Sequence, residues 1–147
     1  MPLNIIVLIK QVIDPDIPTA EFKIEDGTSE VATPLNIPPV INGFDENALE
    51  AALRIKDSQE ATVTALSLGK NFSMDVVKKA LSMGADTLIL IEDIHARSDF
   101  DSSITARIVS TAIKKAGNFD LILAGRQASD WDNAQVPHII SEHLNLP

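Results

Sequence analysis

Five consecutive apolar residues near the N-terminus, Ile5-Ile6-Val7-Leu8-Ile9, leave this chain few ways to fold. A strand turns alternate residues to opposite faces, so a short run that is apolar at every position needs cover on both sides. The central strand of a parallel sheet, with helices above and below, supplies that cover. Asn4 to Lys10 therefore reads as a central strand, and Ala61 to Leu68, Thr87 to Ile91 and Asp120 to Ala124 read as three more.

Helical patterns alternate with these strands. Asn42-Gly43-Phe44-Asp45 opens the first, in which Leu49, Ala52 and Leu53 recur at helical spacing, while Glu46 and Glu50 favour its N-terminal half through the dipole. Ser73 is placed to cap a second helix with Val76, Val77, Ala80 and Leu81 inward and Gly84 at its C-terminal end. A third begins at Asp101 or Ser102, repeats apolar residues at Ile104, Ile108 and Ala112, and ends in Lys114, Lys115 and Gly117. The last, Val136 to Leu144, has to start within a turn of Pro137, which has no backbone N–H to give a helix interior. Four alternations predict an α/β fold: a doubly wound, mostly parallel, Rossmann-like sheet with right-handed crossovers.

Between Val12 and Ile41 the pattern breaks down. Prolines at 15, 18, 34, 38 and 39 exclude a long helix, and Asp26-Gly27, flanked by Glu21 to Ile24 and Thr28 to Ala32, favours a tight hairpin. The expectation is a hairpin-containing insertion after the first strand, within a single domain spanning 1–147. The sequence stops at Leu144-Asn145-Leu146-Pro147 with no fifth strand, which reads as a domain boundary or truncation.

With 45% apolar and 22% charged residues the chain can build an ordinary core. A net charge of −9 repels phosphate backbones and argues against nucleic acid. The lack of cysteine removes disulfides, iron-sulfur ligation and thiol catalysis. No apolar run is long enough for a membrane span or a signal-peptide core, so a cytoplasmic location is expected.

The candidate site is the stretch Gly125 to Val136, which leaves the carboxyl end of the fourth strand and enters the last helix. Open α/β sheets bind anions and nucleotides there, because unpaired amides and the helix dipole converge. Lys10 and Asn42 fall on the same predicted edge. Each also has a plainer reading, as a solvated lysine and a turn residue. His95, His138 and His143 are not spaced as metal ligands. Asp130 and Asp132 lack a nucleophile or histidine partner and read as caps or acceptors for ribose hydroxyls. Neither a P-loop nor Gly-x-Gly-x-x-Gly is present.

Four segments in the same order resemble the β subunit of electron-transfer flavoproteins: Val7 to Val12, Asn42 to Leu53, Ala80 to Asp86, and Gly125 to Gln135. The resemblance implies an adenine-nucleotide α-hydrolase-like fold and an electron carrier subunit, not a catalyst on its own. It also implies a flavin-carrying α subunit as partner, contact with flavin dehydrogenases through that complex, and a site for AMP or, in bifurcating members, a second FAD. Carried over by position, the contacts are the backbone near Leu8 and Lys10, the turn with Asn42, Phe44 and Asp45, the strand end at Leu68, and Gly125 and Gln127 in the loop. Asp130, Asn133 and Gln135 would make polar contacts, and the amides of Asn133, Ala134, Gln135 and Val136 would meet the phosphates. Gly43 stands where family members usually have proline, and Trp131 where they have glycine or an acidic residue. Ala134-Gln135-Val136 and the Asp101-Ser102 helix start look more like the FAD-binding members. A stand-alone ATP- or AMP-binding domain of the universal-stress type is the alternative, though only Gly125 of its Gly-x-Gly phosphate motif is present.

Overall fold

Strand β1 (Leu3–Leu8) buries Ile5 and Val7 on one face and Ile6 on the other, all at no more than 5% exposure, as a run apolar on both faces requires. The computed structural model describes residues 2–27, 31–32, 34, 36–92 and 101–147. After β1 come the short strands β2 (Gln11–Val12) and β3 (Val40–Ile41), then α1 (Gly43–Ser58) and β4 (Ala61–Gly69). They are followed by α2 (Met74–Val77), α3 (Lys79–Met83), β5 (Thr87–Glu92), α4 (Ser102–Ala116), β6 (Leu121–Ala124) and α5 (Val136–Leu144).

The main sheet is parallel with strand order β5-β4-β1-β6. The chain winds outward from β1 through β4 to β5, then crosses back to place β6 on the other side of β1. The strand order reverses between β1 and β6, and a crevice opens at the carboxyl ends of such a pair. Leu8 pairs with both Leu66 and Ala124, so the ends of β1, β4 and β6 stand close to level. At the opposite end Asp120 ties β6 to β1: its carboxylate accepts from Asn4 N–H at 2.8 Å, and its own N–H donates to Asn4 O at 2.9 Å.

Helices cover both faces, as the alternation predicts. On one side Ile5, Val7, Val63 and Ala65 pack with Leu49 and Ala52 of α1 and Ala80 of α3. On the other, Ile6 and Leu66 pack with Ala106, Val109 and Ile113 of α4 and Ile140 of α5. Each large aliphatic side chain buried in this way stabilises the fold by about 1.5–3 kcal/mol.

Three helix ends refine the sequence expectations. Asp101 caps α4, accepting from the Ser103 N–H at 2.7 Å and the Ser103 hydroxyl at 2.6 Å, and these bonds hold its carboxyl below the usual range. The second helix is interrupted at Lys78, and Ser73 makes no side-chain cap; its N–H instead donates to Gln11 Oε1 at 2.8 Å. Gly84, at φ +130°, ends α3 in a conformation that side chains rarely adopt.

The proline-rich stretch leaves and returns at one place. β2 and β3 pair antiparallel, Gln11 opposite Ile41 and Val12 opposite Val40, and the Asn42 N–H donates to Lys10 O at 2.9 Å. Within the excursion, Thr19–Glu21 forms a 3-10 turn where a strand was expected to start, and Ile24 and Val31 form an isolated antiparallel bridge. Thr28, Ser29 and Glu30 of the expected hairpin lie outside the described residues. Among the described residues, no helix is long and apolar enough to cross a membrane.

Leu49, fully buried between α1 and the sheet, tests this packing. Leu49→Ala is expected to lower the unfolding free energy by about 2–5 kcal/mol in urea titrations, against less than about 1 kcal/mol for the more exposed Leu81→Ala.

Candidate functional site at the sheet switch point

A buried carboxylate joins the three elements that meet at the switch point. Asp45, in the first turn of α1, accepts from the Lys10 N–H at 2.9 Å through Oδ2 and from the Gly125 N–H at 3.0 Å through Oδ1. The residues that follow β1 and β6 are thereby fixed to the start of α1. Burial pushes the Asp45 carboxyl up to about 6, against the lowering effects of Asn42, of the two amides and of the Lys10 charge. The folded protein thus binds this proton more tightly than the unfolded chain does. The stability that follows is full below pH 3.8 and is lost as pH rises through about 6.

Asn42 continues the clasp. It is 1% exposed, its Nδ2 donates to Gln127 O at 2.8 Å, and its Oδ1 accepts from the Ser129 N–H at 3.2 Å. At the N-cap position its side chain caps no helix N–H, and its amide serves the loop after β6 instead. The approach is close enough to demand glycine at 125. A Cβ there would stand 2.7 Å from the Phe44 carbonyl carbon and would also collide with the Asp45 carboxylate.

The loop from Gly125 to Gln135 closes on itself. Asp132 N–H donates to Ala128 O at 2.9 Å, and Gln127 receives Arg126 Nε at 2.9 Å while donating to Asp132 Oδ1 at 2.7 Å. Asp132 and Ala134 both have φ near +52°, the left-handed region that residues other than glycine enter rarely. Gln135 is the N-cap of α5, and Pro137 lies in its first turn as the sequence required. Among the described residues, the amides of Asn133, Ala134, Gln135 and Val136 take no partner within the chain. Lys10 reaches across this loop: its Nζ lies 2.6 and 2.9 Å from the two carboxylate oxygens of Asp130.

The structure brings Lys10, Asn42, Asp45, Gly125, Gln127 and Asp130 into one bonded cluster at the switch point. Leu8 and Leu68 are half-buried at the ends of β1 and β4, and Phe44 is 38% exposed beside Gly125. Asn133 and Gln135 are exposed, Ala134 and Val136 half-buried. Trp131, 53% exposed, belongs to the outer turn of the loop. His138 and His143 are on α5, and His95 lies outside the described residues. Among the described residues, no group of acidic or histidine side chains is arranged to hold a metal ion. Sequence reasoning missed two things. The Lys10–Asp130 pair joins residues 120 positions apart, and nothing in the sequence pattern signals it. The hydroxyl of Ser67, buried one residue before Leu68 with no partner, reads in sequence as an ordinary strand residue.

Gly125→Ala is expected to cost more than about 2 kcal/mol in chemical unfolding, because the colliding atoms belong to backbone and to a pinned carboxylate. Asp45→Asn keeps the shape but offers only one acceptor to two N–H donors. Its unfolding free energy should lose the decline between pH 3.8 and about 6 seen in wild type, a difference of roughly 3 kcal/mol across the window in paired pH-dependent titrations.

Residues 35–147 match the family model of the electron transfer flavoprotein domain. The electron transfer flavoprotein subunit beta of Clostridium acetobutylicum is 41% identical over 145 residues, covering 99% of this chain and 53% of that protein. The subunit beta of Thermoanaerobacterium thermosaccharolyticum is 40% identical with the same coverage. The caffeyl-CoA reductase-Etf complex subunit CarD of Acetobacterium woodii is 38% identical over 146 residues, again 99% of this chain and 53% of the relative. The chain spans about half the length of the curated relatives it matches.

Proposed function

This chain belongs to the electron transfer flavoprotein domain family, and on that footing we propose that it is the nucleotide-holding part of a β subunit. In this reading it binds AMP or FAD at the switch point and pairs with a flavin-carrying α subunit in the cytoplasm. The complex then passes electrons between dehydrogenases and acceptors. The observation that carries the reading is the run of four unpartnered amides, Asn133 to Val136, at the start of α5 and at the end of the loop that Lys10 and Asn42 hold. A relative that is itself a subunit of a caffeyl-CoA reductase complex supports the partnership with a dehydrogenase.

The donor set fits a nucleotide. Amides at a helix N-terminus and a lysine at a strand end suit a phosphate; the exposed side chains of Asn133 and Gln135 suit ribose hydroxyls. Half-buried Leu8 and Leu68 and the exposed ring of Phe44 offer apolar surface for a base. A flavin, when bound, supplies the redox chemistry. The chain's own part is to hold and orient the nucleotide. Asp45 and Asn42 do this indirectly, since their bonds fix the strand end and the loop from which the contacts are made.

Co-expression with the α subunit tests the reading. Denaturing the purified heterodimer is expected to release AMP, or FAD beyond the flavin of the α subunit, close to one per β chain by chromatography. An intact heterodimer with no such nucleotide refutes it. A preference of the isolated chain for ATP over both AMP and FAD in calorimetry would point instead to a stand-alone ATP-binding domain.

A further inference from the structure

We propose that Asp130 is a latch on Lys10: its carboxylate holds the lysine ammonium where a ligand phosphate would, and a nucleoside monophosphate binds by displacing it. The inference rests on the nucleotide reading above and adds a specificity device to that site.

The Lys10–Asp130 pair is bidentate, at 2.6 and 2.9 Å, yet the fold already has other bonds for what it joins. The Lys10 backbone is held on one side by Asp45 and on the other by the Asn42 N–H. The loop is held by Asn42 through Gln127 O and the Ser129 N–H, and by the Ala128–Asp132 turn. Both charged side chains keep access to solvent, at 39% for Lys10 and 21% for Asp130. A partly exposed pair of this kind shifts an equilibrium by about fivefold at most, so it can be exchanged.

The exchange favours a particular ligand. A carboxylate on Lys10 does nothing for the four amides from Asn133 to Val136, which begin three residues further along the same loop, whereas a phosphate is an acceptor suited to both kinds of donor. Inorganic phosphate has no base or ribose with which to gain on Leu8, Leu68 and Phe44, so it competes poorly with a carboxylate tethered in place. A nucleoside without phosphate has no reason to open the pair. The latch therefore admits phosphate only when a nucleoside carries it.

Trp131 adjoins Asp130 and is the sole tryptophan in a chain without tyrosine, so its fluorescence reports the loop directly. The full chain would be titrated with AMP, adenosine and inorganic phosphate, following Trp131 fluorescence and heat. Asp130→Asn is expected to bind AMP about fivefold tighter than wild type, to leave adenosine unchanged and to gain a response to inorganic phosphate. Lys10→Met should weaken AMP but not adenosine, and adding Asp130→Asn to it should then bring no tightening. If wild type binds AMP and Asp130→Asn binds it equally or more weakly, the latch is overturned while the nucleotide reading stands. A gain that persists undiminished in the Lys10→Met background likewise overturns it, since Asp130 would then act by general repulsion. No saturable response from wild type or any variant defeats the nucleotide reading and the latch together.

Discussion

One carboxylate receiving two amides from different strands is the constraint on which the rest of the switch point depends. The Lys10 and Gly125 N–H groups reach Asp45 from opposite walls of the crevice. Among side chains of this size only Asp offers an acceptor oxygen to each of two such donors. Removing that charge from water is costly, which is why its carboxyl titrates near 6, and the bonds it receives offset the cost only in part. The position of α1 therefore follows from more than the packing of Leu49 and Ala52. It is also fixed by a polar contact that leaves no room for a side chain at Gly125.

The division of labour around the crevice follows from this. Buried polar groups at Asn42 and Asp45 are used up in holding backbone together, while the polar side chains at Asn133 and Gln135 and the amides beside them are left to solvent. A binding site needs both kinds of residue. The first kind keeps the second in register, since a contact shell left unsupported loses its geometry.

The fold was legible because its signal is coarse. A short run apolar at every position suits a doubly covered strand, and β1, β4, β5 and β6 all fall within two residues of where the apolar runs place them. The start of α5 was legible because Pro137 tolerates only the first turn of a helix. The switch point was legible as a location, since it follows from the order of elements, but the bonding around it was not. Asn42 reads in sequence as the first residue of a helix and turns out to serve a loop 85 residues away. Lys10 reads in sequence as a solvated or ligand-facing lysine and Asp130 as a cap or a ribose acceptor, and neither reading sets the two face to face. Such pairings are decided by tertiary geometry and leave no periodic trace. The break at Lys78 and the 3-10 turn at Thr19–Glu21 were missed for a related reason: local backbone choices there follow neighbouring contacts more than residue preference.

The short β2–β3 ladder has a consequence for how this architecture can vary. It brings residues 12 and 40 together and hands the chain to Asn42 beside Lys10, so the excursion between them begins and ends on anchored backbone. Closing a loop costs only the logarithm of its length, and here both ends are held by contacts that involve none of the loop's interior residues. The length of the stretch between these anchors can therefore change at little cost in loop closure. A protein built this way can acquire new surface for new partners while the carboxyl end of the sheet stays as it was.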